Sequence, residues 1–389
     1  AAKFCPHIVE VLAKQKQTKA FIILSAGFHE ENEEGAKLER QVVDIINSVN
    51  GSLIGPNCIG MMNSNYTGVF SRPIPKFNPK GVDFITGSGA TAVFILELGM
   101  QQGLQFSSVF SVGNSAQLGV EEILEYLDES FDPKSSSRVK LLYVESISKP
   151  EKLLKHARSL ISKGCKIAAI KAGSSEAGSR AASSHTGAMA SSDVAVDALF
   201  RKAGIVRCRG RQELLTCASI FTLPELTGKR IAIITHAGGP AVMLTDSLSN
   251  GKMEVPRISG PKAEELLTKL FPGSSVANPI DFLATGTAEQ LGYIIDACEK
   301  DFDVDGMAVI FGSPGLFPVY DVYDLLSERM RSCKKPIYPI LPSVVNVADE
   351  ISKFVAKGNV YFPEEVVFGD ALCRIMQTPA PQPEDAKFP

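Results

Sequence analysis

Residues 82–100 read VDFITGSGATAVFILELGM, and this stretch decides the architecture. VDFIT is a short β-branched and aromatic run of the kind that makes a buried strand. Thr86-Gly87-Ser88-Gly89-Ala90 is a turn of small residues, and the following ATAVFILELGM is helical in pattern. A strand feeding a helix through a tight turn is the repeating unit of parallel α/β sheets. The unit recurs on both sides. Further strands are expected at residues 20–25 (AFIILS), 108–112 (SVFSV), 139–144 (VKLLYV) and 167–171. Others are expected at 230–235 (RIAIIT), 307–311 (MAVIF) and 336–341 (PIYPIL). Amphipathic stretches such as 121–127, 150–162 and 264–270 separate them.

The 389 residues suffice for two or three domains of ~100–200 residues each. A net charge of −3 and 21% charged residues give no reason to expect nucleic acid or a polybasic membrane contact. No apolar run approaches the ~20 residues that span a bilayer. The start, AAKFCPHIVEV, lacks a secretory pattern, so a cytoplasmic setting is expected. Eight cysteines show neither CxxC nor histidine-paired spacing and read as reduced thiols. Asp301, Asp303 and Asp305 alternate without the closing glutamate of a calcium loop, so they read as a solvated turn and no metal site is expected.

Two breaks interrupt the pattern. Residues 71–81 (SRPIPKFNPKG) hold three prolines and read as a linker, and 223–229 (LPELTGK) precedes a fresh strand. The expected division is residues 1–75, 79–222 and 226–378, followed by a proline-rich extended tail at 379–389. Residues 1–75 offer about two helices and two strands, too little for a full doubly wound sheet, which suggests that the front half of an α/β domain is missing.

Three strand-to-helix junctions share one chemistry. The turns at 86–90, 111–115 (SVGNS) and 236–240 (HAGGP) combine small residues with a helix start, where backbone N–H groups and the helix dipole favour an anion. Neither a P-loop nor a complete G-x-G-x-x-G is present. Residues 171–190, KAGSSEAGSRAASSHTGAMA, read as a loop of small residues projecting one of the five histidines, His185. Glu145 ends an expected strand, where parallel sheets present functional groups. It either orients an imidazole or is a solvated strand end. Glu176 is a weaker candidate. His236 reads as a turn residue, and His7, His29 and His156 as structural or surface groups.

SAGF (25–28), GPNCIG (55–60), ITGSGA (85–90), SVGNSA (111–116), YVES (143–146), the histidine segment at 171–188, THAGGPA (235–241) and NPIDF (278–282) occur in one order along nearly the whole chain. In this the chain resembles the α subunit, or α-like portion, of ADP-forming acyl-CoA synthetases in the succinyl-CoA synthetase superfamily. The resemblance implies a partial Rossmann-like CoA-binding domain at 1–75, lacking its front, and two flavodoxin-like domains after it. It implies phosphorylation of His185, steadied by Glu145. Phosphate would be cradled by Thr86, Gly87, Ser88 and Gly89 and by Ala237, Gly238 and Gly239, with Asn57, Gly113 and Asn114 on the cofactor. The residues around His185 would form a swinging loop. CoA, phosphate, acyl-CoA and ATP or ADP with Mg2+ are the implied ligands. Nucleotide would sit on an ATP-grasp β subunit or fused domain, within a hetero- or homo-oligomer. The alternative is a non-catalytic CoA- or acyl-CoA-sensing scaffold, as in fusions to an acetyltransferase.

Overall fold

The chain is described from a computed structural model covering residues 2–186, 192–313 and 317–383, with residues 183–186 as backbone only. All eight expected strands form, and five short ones join them. They are β1 (Ala20–Ile22), β2 (Ser52–Ile54), β3 (Gly60–Asn63), β4 (Thr67–Val69), β5 (Phe77–Thr86), β6 (Phe106–Ser111) and β7 (Val139–Val144). After them come β8 (Lys166–Lys171), β9 (Val206–Cys208), β10 (Ile231–Thr235), β11 (Ile280–Asp281), β12 (Gly306–Ile310) and β13 (Ile337–Ile340). Helices bearing on the site are α1 (Cys5–Glu10), α2 (Glu33–Ser48), α3 (Gly89–Gln101), α4 (Val120–Glu129), α5 (Pro150–Ser162) and α6 (Glu176–Thr186). To these are added α7 (Asp193–Ala203), α8 (Arg211–Thr222) and α9 (Gly238–Asn250).

Two units divide the chain. One takes the residues up to Leu98, Gln105–Leu214 and the chain from Thr378; the other takes Gly99–Leu104 and Leu215–Gln377. In the first, seven strands lie in the order β4-β3-β6-β5-β7-β8-β9. From β6 to β9 the pairing is parallel, while β3 runs antiparallel to both β4 and β6. The parallel part is the 2-1-3-4-5 order of a flavodoxin-like sheet. Covered on both faces, its strands are near-continuous apolar runs; the charges Asp83 on β5 and Lys140 on β7 are register partners and pair with each other at 2.6 Å. In the second unit β11-β10-β12-β13 are all parallel, the same order cut to four strands.

Residues 2–58 contribute the parallel pair β1–β2 with α1 and α2, around their own core of Val9, Phe21, Phe28, Val42, Ile46 and Leu53. Two expectations need correction. Residues 71–81 are not all linker, because β5 already starts at Phe77. Phe77 and Val82 both pair with Phe106, so the residues between them bulge out of the ladder, which is how Pro79 is tolerated in a strand. The segment carrying His185 is not a loop either. Glu176–Thr186 is helical. Ser175 caps it, its Oγ accepting the Gly178 N–H at 3.0 Å, and Glu176 in the first turn pairs with Arg180 at 2.6 Å. Alanine suits a small-sided loop but is also the strongest helix former, which is why the segment is helical.

Candidate functional site

In the first unit the chain leaves β5 through α3 to β6 on one side, then crosses through α4 to β7 on the other. The carboxyl ends of β5 and β7 therefore diverge, and this switch point is where open α/β sheets hold ligands. A cleft of ≈ 560 Å³ lies there. Gly87–Ala90 after β5 and Tyr143–Ser146 around the end of β7 form one wall, and Asn57–Ile59 and Gly113–Ala116 form another.

The turn after β5 is built from the inside. Thr86 is fully buried, and its Oγ1 accepts the Ser88 N–H at 3.0 Å. Ser88 then caps α3: its carbonyl takes the Ala92 N–H at 3.1 Å and its Oγ the Thr91 N–H at 3.3 Å. Thr86 does not line the cleft, so it shapes the turn from behind. Gly87 is not among the positive-φ glycines, and a Cβ there would meet nothing within 4 Å. Neither strain nor packing explains the missing side chain. The second unit repeats the device at its own switch point. Thr235 ends β10 fully buried, its Oγ1 accepting the Ala237 N–H at 2.9 Å, and α9 begins at Gly238. Gly239 is likewise open. His236 is more than a turn residue here. Its ring stacks on Phe311 at 4.5 Å, and burial pushes its pKa below the ordinary histidine value.

Asn57, Gly113 and Asn114 form a clasp. Asn114 N–H donates to Pro56 O at 2.9 Å, and Ala116 N–H donates to Gly55 O at 3.2 Å. Gly113 is obligatory: its φ is +53°, and a Cβ would stand 2.2 Å from Pro56 O. The Asn114 carboxamide is held on both sides. Its Nδ2 donates to Glu30 and, at 3.0 Å, to Glu39, and its Oδ1 accepts from Asn57 at 3.3 Å. His29, read as structural or surface, lines the cleft and pairs with Glu39 at 2.7 Å. Burial alone would raise the Glu30 pKa, but hydrogen bonds from Asn114 and from the Gly27 and Phe28 backbones hold it below the usual value. Burial pushes the Cys58 thiol up to about 11, so it stays protonated and is no nucleophile.

Glu145 is half-buried on the cleft wall. Glu121, which sequence reading missed, anchors the loop beyond it by accepting the Ser148 and Lys149 N–H groups at 2.7 and 3.0 Å. β8 pairs with β7 as far as Val144, and Ala172 N–H donates to Val144 O at 2.9 Å, so the stem leading to α6 leaves the sheet beside Glu145. His185 lies in the last turn of α6; its side chain is outside the described residues. Asp301 and Asp303 are exposed, as expected of a solvated turn, and Arg230 pairs with Asp303 and, at 2.8 Å, with Asp305.

Fold and site together define a flavodoxin-like domain with a crevice at its switch point. Residues 79–221 match the family of the succinyl-CoA ligase like flavodoxin domain. The α subunit of ADP-forming acetate–CoA ligase II from Pyrococcus furiosus is 34% identical over 298 residues, which are 76% of this chain and 64% of that protein. ADP-forming acetate–CoA ligase I from Archaeoglobus fulgidus is 34% identical over 307 residues, 78% of this chain and 43% of that protein. This chain thus spans between about two fifths and two thirds of these relatives' lengths. Among solved structures, acetyl-coenzyme A synthetase 1 from Ca. Korarchaeum cryptofilum, in complex with phosphate and ADP, matches with a TM-score of 0.84 at 23% identity, over 96% of this chain and 80% of that one. The chain is a homologue of the α subunits of ADP-forming acetate–CoA ligases, and its residues 79–221 match the succinyl-CoA ligase like flavodoxin domain.

Proposed function

We propose that this chain is the α-like component of an ADP-forming acyl-CoA synthetase, catalysing acyl-CoA + phosphate + ADP ⇌ acid + CoA + ATP through phosphohistidine at His185. The observation that carries the reading is the single cleft lined by both the open Gly87 turn and Glu145, beside the stem of the helix that holds His185. The names of the relatives supply the reaction class.

A phosphate at the N-terminus of α3 meets backbone N–H groups and the helix dipole. One of its oxygens attacks the thioester carbonyl, the C–S bond breaks, and CoA leaves as the thiol with an acyl phosphate in its place. An imidazole nitrogen of His185 then attacks phosphorus and the carboxylic acid leaves. Glu145 accepts a hydrogen bond from the other ring nitrogen, fixing the tautomer and raising nucleophilicity. Attack by ADP on the phosphohistidine breaks the P–N bond and yields ATP. Asn57, Gly113 and Asn114 form the opposite wall, for the thioester end of CoA. Ala237–Gly239, in the second unit, is a second phosphate cradle of the same build. ADP and Mg2+ are assigned to an ATP-grasp partner or fused domain, and the assembly to the cytoplasm.

The test is incubation with radiolabelled ATP, magnesium and an ATP-grasp partner subunit, followed by an acid-lability assay. The wild type should take acid-labile, base-stable label that maps to His185, and His185→Ala should take none. Label persisting on the variant removes the relay, and no label on the wild type favours the sensing scaffold.

A further inference from the structure

β8 reads KIAAIK, and its last residue, Lys171, is only 5% exposed. A lysine at a strand end ordinarily bends its ammonium out to water, and burying that charge is costly unless it is well partnered. Here the Nζ donates to the Gly173 carbonyl, two residues on, at 2.7 Å. An apolar side chain would close the strand at lower cost. The ammonium is what holds the carbonyl.

Gly173 lies where the chain turns from β8 into α6. Its φ is +70°, and a Cβ there would stand 3.2 Å from both the Gly178 carbonyl oxygen and the Ala182 Cβ. It would also stand 3.3 Å from the Ser179 Cα. A Cβ on Gly178 would in turn stand 3.3 Å from the Gly173 Cα. The first two turns of α6 are thus seated on the backbone of the turn that Lys171 holds. His185 follows Ala182 by three residues, about one helical turn. Lys171 is also the register partner of Val144, the residue before Glu145, so the seat of α6 is referred to the strand end that leads to Glu145.

We propose that Lys171 is a positioning residue for His185: its ammonium fixes the turn at Gly173, the turn seats α6, and α6 sets the place from which His185 reacts. The proposal rests on the relay reading above and gives the lysine no contact with substrate.

The experiment compares wild type, Lys171→Met and Ala182→Leu, each with an ATP-grasp partner subunit. Methionine keeps the buried stem and loses the donor. Leucine keeps a strong helix former but wedges α6 away from Gly173. The readouts are the initial rate of His185 labelling from radiolabelled ATP and magnesium, the final label per chain, and thermal unfolding. Loss of folded protein lowers the final label, whereas loss of position lowers the rate and leaves the final label full. Both variants should reach the wild-type final label. Lys171→Met should do so roughly ten-fold more slowly, the rate equivalent of one hydrogen bond from a charged group, and Ala182→Leu several-fold more slowly. Either folded variant labelling at the wild-type rate, or slowed only in step with its final label, overturns the proposal while the relay stands. A wild type that takes no label overturns the relay itself. Should Lys171→Met fail to fold, Ala182→Leu decides on the same two readouts.

Discussion

At the residue scale, Gly87 separates the needs of a ligand from those of the fold. Its backbone is unstrained and its Cβ position is empty, so Gly87→Ala should change stability by less than about 0.5 kcal/mol, as for surface substitutions. A methyl group aimed at the cradle should nonetheless lower the rate of His185 phosphorylation at least ten-fold. Urea unfolding alongside the labelling assay checks both halves. Gly113 would respond the opposite way, because there the protein's own Pro56 carbonyl occupies the space. Both glycines were visible in the sequence as turn residues. Which neighbour excludes the side chain was not, since that depends on a segment 57 positions away in one case and on no residue at all in the other.

At the element scale, charge pairing holds the layers around the site. Asp83 and Lys140 are the second residues of VDFIT and VKLLYV; each looks like a flaw in an apolar strand until the register sets them side by side. Ser108 also donates to Asp83 at 2.6 Å. Lys140→Met should cost roughly 3–5 kcal/mol by leaving Asp83 buried without its cation, and Asp83→Leu added to Lys140→Met should recover much of it. Denaturant midpoints measure both. Across α4 and α5, burial alone would raise the Asp128 pKa, but bonds from Lys163, Ser159 and His156 outweigh it and hold the carboxyl below the ordinary aspartate value. A depressed carboxylate stabilises the native state above its unfolded pKa of ~3.9 and loses that contribution as pH falls through the lower folded value. Asp128→Asn should therefore be less stable at neutral pH and lose less on acidification below about pH 4, as chemical unfolding across pH would record. The helix at Glu176–Thr186 shows the limit of reading composition: its capping serine and its Glu176–Arg180 pair are visible in the sequence, but a run of small residues serves a loop and a helix alike.

At the scale of the whole molecule, the alternation of strands and helices was legible because both-sided burial writes itself as apolar runs, and the turns at Gly87 and Gly238 were legible because small residues there have few other uses. The second wall of the cleft was not. His29, Glu39 and Tyr143 gain their places only when strand order brings distant segments to one edge, and no local pattern reports strand order. The sheet also reaches backwards, with β3 and β4 on its edge, and the clasp of Pro56 with Asn114 binds the front segment to it. This bears on how such proteins are recombined. The segment that matches the flavodoxin-like family begins at residue 79, yet Leu24, His29, Glu39, Asn57 and Phe70 of the cleft all precede it. Grafted into another host at that boundary, the domain would carry its Gly87 turn and leave those residues of the cleft behind, so the unit that builds this cleft is larger than the unit recognised by similarity.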